Sequence, residues 1–274
     1  MQVLYCNIRL FKNVKSKTMS KLLTKNQFLD FSDYGRPIAV WIAQSLKNTA
    51  ATPIHVTIAF GISGLIAIYC MLNEYYWAAG FFLILKSILD AADGELSRVK
   101  NTPSYTGRYL DSIFDIILNF LLLLTINHIA QIGWVYTLFA FICIQLQGTL
   151  YNYYYVIIRN QYTGSDKTSR IIEDEIPVAF TNERQKIVNI LFFGYKLFYG
   201  IFDDIIYQFD RKAVAVQHFP NWFMSLISIY GLGFQLLIMA VMLSCNWIDF
   251  IVPFFIFYTI LLVVFVGIRR HFIL

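Results

Sequence analysis

Charged residues are scarce in this chain. Only 14% of its 274 positions are Asp, Glu, Lys or Arg, whereas 58% are hydrophobic and 18% aromatic. A soluble domain of this length would carry more charge and fewer apolar side chains. The composition therefore argues against a soluble enzyme and for a membrane protein. Cysteine is also sparse. Cys6, Cys70, Cys143 and Cys245 stand apart, no two at metal-ligand spacing, and three lie in or beside apolar runs. That argues against a zinc centre and suits small buried side chains in a reducing compartment. The first fifty residues are basic throughout and lack the early apolar core of a cleavable signal. Repeats and low-complexity runs are absent too.

What the chain has in quantity is long apolar sequence. A bilayer-crossing helix needs about 20 apolar residues. Six stretches qualify, at roughly 54–72, 76–97, 107–129, 132–157, 222–243 and 247–268. Basic residues orient them. Residues 1–50 carry eight Lys or Arg and the connection 159–221 another eight; Arg98, Lys100 and Arg108 follow the second span, and Arg269 and Arg270 follow the sixth. The turns near Asn73, Gln131 and Asn246 carry none. By the positive-inside tendency, both termini and the loop between spans two and three are expected in the cytoplasm.

Three further segments carry patterns. In 37–47, Ile38, Trp41, Ile42 and Leu46 recur at helical spacing behind Pro37, predicting an amphipathic helix in the cytoplasmic interface. Segment 187–209 is rich in Phe, Tyr and Ile but interrupted by Lys196, Asp203 and Asp204. As a seventh span it would break the charge pattern, so an interfacial or partly buried helix is expected. The tyrosines from Tyr151 to Tyr155 are expected to form an interfacial belt.

The informative stretch is LDAADGELSRVKNTPSYTGRYLDSIFDI, from Leu89 to Ile116. Asp90 and Asp93 are three apart and share a face at the cytoplasmic end of span two, continued by Gly94 and Ser97. Asp111 and Asp115 are four apart and share a face at the start of span three, with Gly107 one turn earlier. A short loop joins the two spans, so all four carboxylates are expected in one pocket. Carboxylates at membrane depth are costly, and four together repel unless a cation sits among them. Oxygen ligands of this kind select Mg²⁺ or Mn²⁺ over zinc, and such a cluster commonly stabilises phosphoryl-transfer charge. Gly94 and Gly107 would let a ligand approach the helix backbones, and Arg98 would suit a phosphate. The competing account is that the aspartates cap helix ends and meet Arg98, Lys100 and Arg108 in solvated pairs, with Lys86 pairing to Asp90 or snorkelling to the interface.

The spacing resembles the signature of the CDP-alcohol phosphatidyltransferases, D-x2-D-G-x2-A-R-x8-G-x3-D-x3-D. Asp90, Asp93, Gly94, Arg98, Gly107, Asp111 and Asp115 match in register, and Ser97 replaces Ala. More weakly, Pro53 and Thr57 match a Pro-Asn-x-x-Thr pattern at the first span, with His55 in a changed context where nucleotide contact is in question. The resemblance implies an all-α membrane protein. A basic segment 1–50 with an interfacial helix would precede a catalytic domain 51–274 of six transmembrane helices, with 159–221 as a cytoplasmic or interfacial insertion.

It also implies residue roles. Asp90, Asp93, Asp111 and Asp115 would hold Mg²⁺ or Mn²⁺, two ions in all, and Asp115 would also be the general base. Gly94, Ser97, Arg98 and Gly107 would hold the CDP part of the donor. Arg108 and Arg159 are candidates for the acceptor, or membrane anchors. The implied reaction moves a substituted phosphate from a CDP-alcohol to an alcohol hydroxyl, releasing CMP, in phospholipid biosynthesis. CDP-diacylglycerol is the leading donor; CDP-inositol, CDP-choline or CDP-ethanolamine is the alternative. A homodimer in the bilayer is implied, and no nucleic acid. A transporter would place its charges near mid-membrane on several helices, and an inactive scaffold would not need four intact aspartates.

Overall fold

The computed structural model describes residues 28–163 and 173–273, and they form an all-α bundle. A 3-10 turn at Phe31–Asp33 leads to α1 (Arg36–Leu46), α2 (Pro53–Leu72), α3 (Tyr76–Lys100), α4 (Tyr105–Ala130) and α5 (Trp134–Thr163). After the connection come α6 (Gln185–Tyr195), a π-helical turn Lys196–Gly200, and α7 (Ile201–Phe209). The chain closes with α8 (Asn221–Ile227), α9 (Leu232–Ser244), α10 (Ile248–Tyr258) and α11 (Ile260–Phe272).

The ends of these helices have local causes. Pro53 opens α2, and Thr52 with His55 forms a reciprocal cap, Thr52 N–H donating to His55 Nδ1 at 3.0 Å. His55 is thus a helix cap in this chain. Asn101 ends α3 in the left-handed region at φ 51°, and Ser104 caps α4 by accepting from Gly107 N–H at 2.8 Å. The connection between α3 and α4 is only Asn101–Ser104, so the two carboxylate-bearing ends turn back on each other.

Helix α3 is the hub, packed against α2, α9 and α1. On α2, Ile58, Ile62, Leu65, Tyr69 and Leu72 are exposed at helical spacing, while Phe60, Ala67 and Met71 are buried. An apolar stripe of that length facing outward is the mark of a bilayer contact. By length and composition four helices among the described residues suit a membrane crossing: Pro53–Leu72, Tyr105–Ala130, Trp134–Gln161 and Ile248–Phe272. These mark an integral membrane protein. Helix α3 is long enough, but its C-terminal half carries the charges of the site. The expected fifth span is broken, with Asn221–Tyr230 and Leu232–Ser244 meeting at a 51° bend.

That bend has a packing cause. A Cβ on Gly233 would lie 2.0 Å from the carbonyl oxygen of Ser32, and one on Gly231 would lie 2.3 Å from the Ser32 Cβ. The N-terminal turn is wedged against the start of α9, and only glycine admits it. The sixth span breaks at Thr259, which leaves the Phe255 carbonyl without its helical N–H. Gln147 Nε2 donates to that carbonyl at 3.0 Å and Thr259 Oγ1 at 2.9 Å. Buried Gln235 completes the network by donating to Gln147 Oε1 at 3.0 Å. Each polar group so satisfied avoids a desolvation cost of about 1–3 kcal/mol.

One sequence expectation gains detail and another is overturned. Helix α1 exists where predicted, but it buries Ala39, Val40 and Ala43, and turns Ile38 and Trp41 outward. Ile42 and Leu46 join a small core with Val56, Ala92 and Leu96. Its apolar residues therefore divide between protein and surroundings. The tyrosines at the end of α5 are not a belt. Tyr153 and Tyr154 are buried, and Tyr154 donates to Asp210 Oδ2 at 2.6 Å. Tyr151 donates to Asp30 Oδ2 at 2.5 Å. Cys70 and Cys143 are buried free thiols and Cys245 is exposed; Cys6 lies outside the described residues.

Candidate active site

The facing ends of α3 and α4 enclose one wall of a cavity of about 490 Å³, whose other walls come from the N-terminal turn, the starts of α1, α2 and α9, and α5. Asp90, Asp93 and Asp111 converge there, with one oxygen from each lying within 4.8 Å of the others. Asp93 Oδ2 accepts from Thr57 Oγ1 at 2.6 Å, so α2 orients it. Asp111 Oδ1 is buried and has no hydrogen-bond partner among the described residues. A buried carboxylate oxygen without a donor, beside two further carboxylates, is a group in want of a cation. The donor set is all oxygen and hard, which suits Mg²⁺ or Mn²⁺. The residues present fit a divalent ion.

The fourth aspartate is held differently. Asp115 Oδ1 accepts from Lys86 Nζ at 2.6 Å, and neither residue lines the cavity. Lys86 is 0% exposed, with its ammonium 5.0 Å from the centre of the Phe60 ring. It neither snorkels nor takes Asp90 as its hydrogen-bonded partner. The other cations near the motif also avoid the four aspartates. Arg98 pairs with Glu95 at 2.9 Å, Lys100 Nζ donates to the Ala51 carbonyl at 2.7 Å, and Arg108 pairs with Glu173. The account in which these cations solvate the aspartates does not describe the fold.

The predicted nucleotide contacts share the cavity. Gly94, Ser97, Arg98 and Gly107 all line it, as do Arg108 and Arg159. The Ser97 hydroxyl, however, donates to the Thr102 carbonyl at 2.8 Å and so braces the α3–α4 loop. Beside Gly94, a Cβ would meet only the Arg98 guanidinium at 3.6 Å, so its backbone opens onto the cavity. Glu95 lies between Arg36 and Arg98, paired to both. Burial opposes the charge on Arg36, but Asp33 and Glu95 outweigh it and hold the guanidinium above its ordinary range.

Several residues at the site lie beyond what the sequence pattern shows. Asp33 reaches the cavity from the N-terminal turn, Arg36 from the start of α1, and Tyr151 and Tyr155 from α5. The connection after α5 also matters. Glu173 accepts from the Tyr109 hydroxyl at 2.8 Å, and Glu183 accepts from Ser104 Oγ at 2.8 Å and Thr106 N–H at 2.7 Å. Helix α6 packs on α4 through Val188, Phe192 and Tyr195, and Tyr199 of the π-helical turn stands in electrostatic reach of Asp115 and Asp111. Only the run of aromatic residues in 187–209 signals in the sequence that this connection folds onto the bundle.

Comparison with known proteins agrees with this geometry. No curated protein matches the chain. The sequence profile of the CDP-alcohol phosphatidyltransferases matches residues 50–198, from the start of α2 through α6 and most of the π-helical turn. It takes in both carboxylate-bearing helix ends and the helix that packs behind them, more than half of the chain. With three convergent carboxylates, a cavity beside them and the whole signature on the two helices, the chain belongs to the CDP-alcohol phosphatidyltransferase family.

Proposed function

We propose that this protein transfers a substituted phosphate from CDP-diacylglycerol to the hydroxyl of an acceptor alcohol, releasing CMP, as a step of phospholipid biosynthesis. The observation that carries this reading is the convergence of Asp90, Asp93 and Asp111 on a cavity of about 490 Å³ that they share with Gly94, Arg98 and Gly107. The three aspartates would hold Mg²⁺ or Mn²⁺. When bound, the ion neutralises diphosphate charge and stabilises the leaving phosphate. The resemblance implied two ions; the three converging carboxylates account for one.

The chain's own residues do the rest. Gly94 and Gly107 let the diphosphate lie close to the helix backbones. Arg98, steadied by Glu95, presents a fixed guanidinium to it. The acceptor oxygen attacks the β-phosphorus in line, the bond to the CMP oxygen breaks, and the hydroxyl proton passes to the carboxylate cluster, with Asp115, set behind the cavity wall, as the base that the resemblance implies. Arg108 and Arg159 both line the cavity and are the candidate acceptor contacts; Arg108 is held there by Glu173 and lies over the Tyr109 ring at 4.7 Å. The helices α2, α3, α4, α5, the bent α8–α9 pair and α10–α11 make six crossings, with both termini and the site in the cytoplasm and α1 at the interface. The apolar outer faces suit a homodimer in the bilayer.

The test is CMP release by the purified protein from CDP-diacylglycerol, CDP-inositol, CDP-choline and CDP-ethanolamine, each with a panel of alcohols. Metal-dependent release from CDP-diacylglycerol is expected. Asp115→Asn should bind nucleotide and fail to turn over. Full activity in excess chelator sinks the metal reading, and release from a soluble donor alone replaces the lipid donor.

A further inference from the structure

Lys86 is a buried cation that the reaction described above does not use. It projects from α3 one turn before Asp90, is 0% exposed, and gives its ammonium to Asp115 Oδ1 at 2.6 Å. A lysine in an apolar helix ordinarily extends its head toward water. This one stays inside, where its charge is felt by Asp90 and Asp111 as well as Asp115. Its ammonium is a compact point charge. Formally, four carboxylates against this one ammonium leave three negative charges. A single divalent ion among Asp90, Asp93 and Asp111 reduces that to one. Without Lys86, Asp115 would be a fourth carboxylate open to a second ion.

We propose that Lys86 is a built-in counter-cation that takes Asp115 out of the ligand set, so that the nucleotide-free protein holds one divalent ion per chain and not two. Lys86 is then a positioning residue, acting through Asp115. The inference rests on the metal-dependent reading of the site.

The experiment is Mn²⁺ titration of the purified full chain in detergent, without nucleotide, counting bound ions by electron paramagnetic resonance. Wild type should bind one tight ion. Lys86→Met should bind two, because Asp115 is released to the ligand set. The double variant Lys86→Met, Asp115→Asn buries no unpaired charge and is the safeguard where Lys86→Met does not fold. It should bind one ion with wild-type affinity to within about threefold. Two ions of similar affinity in wild type overturn the inference, as does a folded Lys86→Met that binds only one. A loss of about tenfold or more in the double variant, the range expected when a ligand or its support is removed, also overturns it. Wild type that binds no Mn²⁺ overturns the metal reading itself, which is a different result from binding two.

Discussion

Asp115 and Asp210 are both buried acids that meet a basic side chain, and their neighbourhoods contrast. Around Asp210 the groups balance. Arg269 Nε donates to Asp210 Oδ2 at 2.6 Å, the Tyr154 hydroxyl donates to the same oxygen at 2.6 Å, and Arg270 stands 3.6 Å away. Arg269 Nη2 also forms an ion pair with Asp210 Oδ1, so both carboxylate oxygens face a cation, and these contacts tie α5 and α11 to the end of α7. Around Asp115 the groups do not balance. Lys86 is one cation among Asp90, Asp93, Asp111 and Asp115, and Asp111 Oδ1 has no donor among the described residues. A satisfied buried network fixes a fold, whereas an unsatisfied one is a site waiting for a ligand. The same chemistry, buried carboxylate with buried base, serves stability in one place and binding in the other.

Crossed substitutions would break that contrast if it is wrong. Asp210→Ala strands Arg269 as an unpaired buried charge and should cost about 3–5 kcal/mol. The expected sign is a lowered unfolding midpoint in detergent, with Mn²⁺ binding per folded molecule unchanged. Asp111→Asn should do the reverse. Removing one of several repelling carboxylates leaves the unfolding midpoint equal or higher, while CMP release falls about 10²–10³-fold for want of transition-state charge stabilisation. Should Asp111→Asn unfold the protein and Asp210→Ala spare its stability, the two regions have been assigned the wrong way round.

Thr57 sharpens the same contrast on a smaller scale. Among the described residues its hydroxyl is the one side-chain donor on Asp93, at 2.6 Å. Thr57→Val keeps the shape of α2 and removes only that donor. Metal ligands depend on such outer partners for orientation, typically by 10–100-fold in affinity. Mn²⁺ affinity should fall about tenfold, with little change in unfolding midpoint. Unchanged affinity would mean that the carboxylates position themselves without α2.

Much of the site was legible in the sequence because it is local. Asp90 with Asp93, and Asp111 with Asp115, lie on two adjoining helix ends, and spacing alone places each pair on one face. The helices themselves followed from apolar run length. What was hidden depends on pairing between distant elements. No periodicity tells Lys86 to choose Asp115, 29 residues away, over Asp90, four residues away. Nor does composition show that the tyrosines of α5 turn inward to Asp30 and Asp210, at separations of 121 and 56 residues. The bend before α9 was hidden for the same reason, since it answers to Ser32 pressing on Gly233.

Glu183 offers the smallest and most specific effect, and a third kind of carboxylate, half-solvated where the other two are buried. It sits at the amino end of α4, where its oxygens accept from Ser104 Oγ, Tyr105 N–H and Thr106 N–H. Burial opposes its charge, but hydrogen bonds from Thr106, Ser104 and Tyr105 outweigh this and hold the carboxyl below its ordinary value of 4.5. A group whose folded-state value is depressed stabilises the protein above the unfolded value and loses that contribution as pH falls through the folded one. Glu183→Ala should therefore cost about 1 kcal/mol at neutral pH, the usual worth of a helix cap, kept low by solvent screening. The difference between wild type and variant should shrink once pH drops below 4.5 and vanish beneath the depressed value. Unfolding midpoints of the two proteins between neutral pH and that range measure it. A difference that grew as pH fell would mean that Glu183 works as a neutral acid, and that the connection after α5 holds α4 by packing alone.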